Sequence, residues 1–134
     1  MTLVADASLV VSALVDSGPA GTWADELLTA ERLAAPHLML AGAANILRRA
    51  AARGQISADA ASLAHADLLD LRVELFPYPP FAARAWDLRG TITSYDAWYV
   101  ALAEFLGAGV GTLDLKLAAA AGPRCAFVTP PPPG

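Results

Sequence analysis

Cysteine is almost absent from this chain: Cys125 is the only one in 134 residues. That excludes an internal disulfide framework and fits a reducing compartment. Histidine is nearly as scarce. His37 and His65 have no cysteine or second histidine at ligand spacing, which argues against zinc. Positive charge is short too, with 9 Lys and Arg against 13 Asp and Glu and a formal net charge of −4. Bulk charge therefore does not point to nucleic acid. It does not exclude it either, because carboxylates gathered around a cation lower the pI while the cation reverses the local field. No basic leader opens the chain, and Asp6 interrupts its first apolar run, so the start reads as a strand and a helix. The longest stretch free of Lys, Arg, Asp and Glu runs from Leu33 to Leu47 and contains Pro36, His37 and Asn45, too short and too polar for a membrane span. A cytoplasmic chain with no membrane segment is expected. A phosphate-cradling glycine loop is also missing. The Gly107-Ala108-Gly109-Val110-Gly111 run precedes a strand, whereas such a loop must follow one.

What is present is apolar material, 56% of the residues, enough for a core in a length that suits one domain. The pattern predicts strands at Thr2–Ala5, Arg32–Ala35 (ended by Pro36), Arg72–Phe76, Gly109–Leu113 and Ala126–Thr129. It predicts helices at Ser8–Val15, Ala20–Ala30, Leu38–Arg53, Ser57–Leu71, Pro79–Leu88, Thr93–Leu106 and Asp114–Ala121. Strands separated by helices imply an α/β domain with a mainly parallel sheet covered on both faces. The domain should span residues 1–129, and residues 130–134 should form an extended proline-rich tail.

Three aspartates fall in equivalent places. Asp6 and Asp114 each follow a strand and precede a helix, and Asp96 lies in the first turn of a helix. In a parallel sheet such junctions share one edge. Carboxylates brought together there repel, and a hard cation such as Mg²⁺ or Mn²⁺ relieves the repulsion. The alternative is structural: aspartate is a favoured N-cap, and acids suit the first turn of a helix.

Four segments carry a resemblance. They are Val4-Ala5-Asp6-Ala7-Ser8; Ala35-Pro36-His37-Leu38 leading to Ala44-Asn45-Ile46-Leu47-Arg48-Arg49; Thr93-Ser94-Tyr95-Asp96-Ala97-Trp98-Tyr99-Val100-Ala101-Leu102-Ala103-Glu104; and Thr112-Leu113-Asp114. In order and spacing they resemble the successive motifs of VapC-type PIN-domain toxins. The resemblance implies a three-layer α/β/α fold with sheet order 3-2-1-4-5. It also implies a Mg²⁺- or Mn²⁺-dependent endoribonuclease that acts as the toxin of a toxin–antitoxin pair and is neutralised by a VapB-type antitoxin. Asp6, Asp96 and Asp114 match the family's metal-site and catalytic acids. Ser8 and Thr112 match small polar positions able to orient a ligand or water. One position departs. Where the family has a glutamate on the third helix, this chain reads Ala41-Gly42-Ala43-Ala44-Asn45, with Gly42 at the glutamate position.

Glycine inside a helix costs about 1 kcal/mol relative to alanine. Either a close backbone approach demands Gly42 or a side chain has been lost, and loss is the reading preferred here. An impaired enzyme is then expected, and the alternative is a PIN-like module that binds antitoxin or RNA without cutting. Arg48 and Arg49 are candidates for RNA or antitoxin contact, or a solvated helix end suited to the dipole. Lys116 is a candidate phosphate contact. Tyr95, Trp98, Tyr99 and Leu102 share helical spacing and read as core or dimer contacts before base-stacking platforms. An aspartate-nucleophile phosphatase would need an acid two residues after Asp6, where this chain has Ser8. A domain so small and apolar is expected to form a homodimer.

Overall fold

In the computed structural model, which describes residues 1–133, five parallel strands form one sheet. They are β1 (Thr2–Ala5), β2 (Arg32–Pro36), β3 (Val73–Phe76), β4 (Gly109–Gly111) and β5 (Phe127–Val128), in the order β3-β2-β1-β4-β5. The expected order 3-2-1-4-5 is therefore present. The helices are α1 (Ala7–Val15), α2 (Pro19–Ala30), α3 (Leu38–Ala52), α4 (Ala58–Leu69), α5 (Ala82–Asp87), α6 (Ser94–Leu106) and α7 (Leu115–Ala118). The first four pack on one another in one layer; α5 packs on α6, and α6 lies against β1, β2 and β4. The core between the layers holds Val4, Leu9, Val10, Met39, Leu102 and Val110, all fully buried. Among the described residues no helix is long and apolar enough to cross a membrane.

Several boundaries differ from expectation, each for a local reason. β2 runs one residue past the expected Ala35, with Pro36 as its last residue, paired with Phe76. Proline there forfeits one donor, and the ladder resumes at once with His37 N donating to Phe76 O at 2.9 Å. The expected helix from Pro79 opens as a 3₁₀ turn, Pro79–Phe81, before α5 begins, and its two prolines sit where the N–H groups of a helical start need no partner. The strand predicted to reach Leu113 stops at Gly111: Thr112 N still donates to Val128 O at 3.0 Å, but Leu113 N and Asp114 N turn to the Ser8 and Thr112 hydroxyls. Residues 130–133 belong to no strand and line a cavity with Pro19 and Ala20. Gly134, the end of the expected tail, lies outside the described residues.

The position of α6 is set at both ends. Thr93 caps its start, its hydroxyl accepting from Asp96 N at 3.1 Å. Gly107 ends it with φ 65°, a left-handed turn that glycine adopts at little cost. Near that end Glu104 takes a bidentate pair from Arg84 of α5, at 2.7 and 3.0 Å, and accepts from Arg124 N at 2.8 Å. Arg84 also donates to Gly122 O at 2.9 Å. This bracket ties α5, α6 and the segment before β5 together, and Arg84 holds the Glu104 carboxyl below its ordinary value of 4.5. Glu104→Gln is expected to lower stability by about 1 kcal/mol at neutral pH, or about 4 °C in melting temperature. Because the folded-state value is depressed, the wild-type advantage should be full above pH 4.5 and fade as pH falls through the lowered value. Thermal melts of both chains at several pH values check this.

Candidate active site at the edge of the sheet

The register of β1 and β4 builds the centre of the site. Leu3, Val4 and Ala5 pair with Gly109, Val110 and Gly111, which leaves Asp6 and Thr112 as the next residues on adjacent strands. Asp6 N continues the ladder, donating to Gly111 O at 3.2 Å. Close approach at this point needs Gly111. A β-carbon there would stand 2.7 Å from Leu9 Cδ2 and 3.1 Å from Leu3 Cδ2.

Asp6 is buried and its carboxylate is fully engaged. Ser8 Oγ donates to Oδ1 at 2.6 Å, Leu9 N donates to the same oxygen at 3.0 Å, and the Thr112 hydroxyl donates to Oδ2. Both hydroxyls then accept from the other side: Ser8 Oγ from Leu113 N at 3.1 Å, and Thr112 Oγ1 from Asp114 N at 3.0 Å. Two side chains thus stitch the end of β1 to the end of β4 and set the orientation of Asp6. Their role is more specific than the general ligand or water orientation expected of them. Burial pushes the Asp6 carboxyl above its ordinary value, and the Ser8 and Thr112 bonds oppose the shift.

Asp114 lies just beyond Thr112 and caps α7, its Oδ1 accepting from Lys116 N at 3.0 Å and Leu117 N at 3.2 Å. Asp96 projects from the first turn of α6. Its carboxyl is also raised, by burial first, then by the charge of Asp114, then by that of Asp6. The three aspartates, remote in sequence, are electrostatic neighbours. Capping and clustering proved compatible, since Asp6 and Asp114 are helix caps and also stand at one sheet edge.

Asp96 and Asp114 share a cavity of about 560 Å³ with Arg89, Gly90, Thr91, Ile92, Thr93, Lys116 and Leu117. Neither Arg89 nor Lys116 is in an ion pair among the described residues, so both leave positive charge free at the cavity wall. Arg48 and Arg49 are elsewhere, on the exposed side of α3. Arg48 bonds Asn45 Oδ1 at 3.0 Å and faces a small hollow shared with His65 of α4. Arg89 and Tyr99 were missed by the sequence reading in this role. Arg89 reaches the cavity only because the turn between α5 and α6 passes it, and nothing in its local pattern announces that. Tyr99, read as core, is indeed buried, and its hydroxyl is pushed far up, by burial first and then by the charge of Asp6.

Gly42 faces this region from α3. Its nearest neighbour for an added β-carbon is Ala7 Cβ at 3.5 Å, an ordinary contact, so no close approach demands glycine. A cavity of about 450 Å³ opens there, lined by Ala7, Leu38, Ala41, Gly42, Asn45, Tyr95 and Tyr99. Of the two explanations for Gly42, the steric one is therefore removed.

The donor set of the site is carboxylate and hydroxyl oxygen, the chemistry that suits a hard divalent cation. The mutual charge effect on Asp96 is of the kind a cation offsets. As arranged here, however, no three His, Cys, Asp or Glu side chains among the described residues close together tightly enough to hold an ion. Asp6 is turned to its hydroxyl partners, Asp114 to the α7 amides, and the Gly42 position offers no carboxylate.

Residues 3–123 match the PIN domain family. This chain belongs to that family. Among curated relatives, ribonuclease VapC9 of Mycobacterium tuberculosis is 36% identical over 129 residues, 96% of this chain and 98% of that protein. Ribonuclease VapC1 of the same organism is 39% identical over 123 residues, 91% of this chain and 92% of that one. The PIN-family chain thus stands beside the VapC ribonucleases along nearly its whole length. In three dimensions it is similar to a Pyrobaculum aerophilum protein, PAE2754, with a TM-score of 0.70 at 28% identity, covering 95% of this chain and 83% of that one. The fold is shared as well with Mycobacterium tuberculosis VapC20, described as a sarcin-ricin loop cleaving toxin, at a TM-score of 0.67 and 16% identity over 87% of this chain and 93% of that one.

Proposed function

We propose that this PIN-domain chain is an endoribonuclease toxin of the VapC type, dependent on Mg²⁺ or Mn²⁺ held by Asp6, Asp96 and Asp114, and slowed by the glycine at position 42. The observation that carries the reading is that Asp96 and Asp114 line one cavity whose wall also bears two unpaired cations, with Asp6 near enough for its charge to act on Asp96. An RNA phosphodiester is anionic, and Arg89 and Lys116 are placed to attract and orient it next to Asp96 and Asp114. A divalent ion, when bound, supplies polarisation of the phosphate and lowers the pKa of an attacking water. The chain itself does the positioning. Ser8 and Thr112 hold Asp6 at a fixed angle, α7 holds Asp114, and Thr93 anchors the turn that presents Asp96.

A second reading is favoured by Gly42 alone: a module that binds RNA or antitoxin and does not cut. Metal titration separates the two. Cleavage of single-stranded RNA should rise with added Mn²⁺, stop with EDTA, and return with excess Mn²⁺. Absence of metal-stimulated cleavage at every concentration leaves the binding module.

The partner inferred for this chain is a VapB-type antitoxin, and its state without antitoxin is a homodimer. Structural neighbours described as VapBC2 of Rickettsia felis and as FitAB, each bound to DNA, support the antitoxin inference at the level of fold. Exposed Leu63 and Leu69 on α4 and Phe105 on α6 are apolar surface that an interface would cover.

A further inference from the structure

Beside the acidic cavity stands an aromatic side chain that the catalytic reading does not use. Trp86, in the last turn of α5, is 60% exposed, whereas Trp23 and Trp98 are half-buried. Arg89 links Trp86 to the cavity. Its guanidinium carbon lies 4.7 Å from the Trp86 ring centroid, and Nη1 donates to Trp86 O at 2.9 Å. The same Arg89 lines the cavity with Asp96, Asp114 and Lys116.

We infer that Trp86 and Arg89 form a nucleotide subsite, in which an unpaired RNA base stacks on Trp86 while the adjoining phosphate is held by Arg89 and Lys116. This deepens the ribonuclease reading and rests on it, by naming the substrate as RNA that is single-stranded next to the cut. An indole face can take any base without hydrogen-bond readout. A base inside a duplex is already stacked on both sides and cannot offer its face. Arg89 is positioned for both tasks at once: stacked on the indole it keeps its charge, and it spans the distance from ring to cavity. The exposed Trp86 ring, next to a residue of the cavity wall, presents apolar surface that a stacked base would cover.

Intrinsic fluorescence tests this, since Trp86 is the exposed indole among the described residues. The full chain is titrated with an eight-nucleotide oligouridylate, with the same RNA annealed to its complement, and with an abasic oligomer of equal charge. Quenching is expected with the unpaired RNA, and little with the duplex or the abasic strand. Trp86→Ala should weaken oligouridylate binding about tenfold, and Trp86→Phe should recover most of that loss. Equal binding of the abasic and uridine strands overturns the subsite, as does an unchanged affinity in Trp86→Ala. Loss of dimer mass by light scattering in Trp86→Ala, without any quenching in the wild type, also overturns it and makes Trp86 an interface residue. Metal-stimulated cleavage is followed in parallel. Quenching without cleavage sinks the nuclease reading and leaves the subsite standing, whereas cleavage without quenching does the reverse.

Discussion

With glutamate in place of Gly42, Mn²⁺-stimulated RNA cleavage is expected to rise by about one to two orders of magnitude. The magnitude is that of restoring a misplaced or missing group beside a reacting centre. Space is the first condition, and the β-carbon of the new residue would sit in ordinary contact with Ala7, with the rest of the side chain opening into the hollow beside Asn45 and Tyr99. Helix propensity acts in the same direction, because glutamate is favoured over glycine within a helix by somewhat less than 1 kcal/mol. Gly42→Ala is the control. It should raise the melting temperature by about 4 °C, through the same propensity, and leave the rate where it was. A Gly42→Glu chain that cuts no faster than the parent at saturating Mn²⁺ would mean that no carboxylate is missing there.

Asp96→Asn is expected to reduce cleavage by at least about a hundredfold while leaving the protein as stable as before, or more so. The two effects together matter more than either alone. Folding gains little from the Asp96 carboxylate, whose one neutral partner is the Thr93 hydroxyl, and the cap bond to Asp96 N survives the change. Burial, Asp114 and Asp6 all raise its pKa above the ordinary 3.8, so its charged form opposes folding. The sign follows: without metal, that penalty is absent below pH 3.8 and complete above the raised value. Asparagine removes it. Melting curves in EDTA and cleavage rates in Mn²⁺, measured on the same two proteins, check both halves. A variant that melts well below its parent would assign Asp96 a structural role instead.

The alternation of apolar runs and helical stretches was enough to place every strand and helix within a few residues, because each strand here is a short run rich in apolar residues set between helical segments. Boundaries failed where side chains took over backbone bonding. Leu113 N leaves the ladder for the Ser8 hydroxyl while the Thr112 side chain bonds Asp6, contacts made across more than a hundred residues of chain and invisible to local pattern. The three aspartates were legible as a group because strand-to-helix junctions of a parallel sheet must share an edge. Strand order itself came from the family resemblance, not from periodicity. The contribution of Arg89 could not be read at all. It depends on how the turn after α5 is laid over the sheet edge, which the α5–α6 packing decides.

The hollow beside Gly42 has one practical consequence. It is lined by Tyr99, which feels the charges of Asp6 and Asp96, and it is large enough for acetate or formate to enter from solution. On the proposal that position 42 lacks a working carboxylate, buffers made from such acids are expected to lend this chain that group in trans, so that cleavage runs faster in acetate than in chloride salts of equal ionic strength.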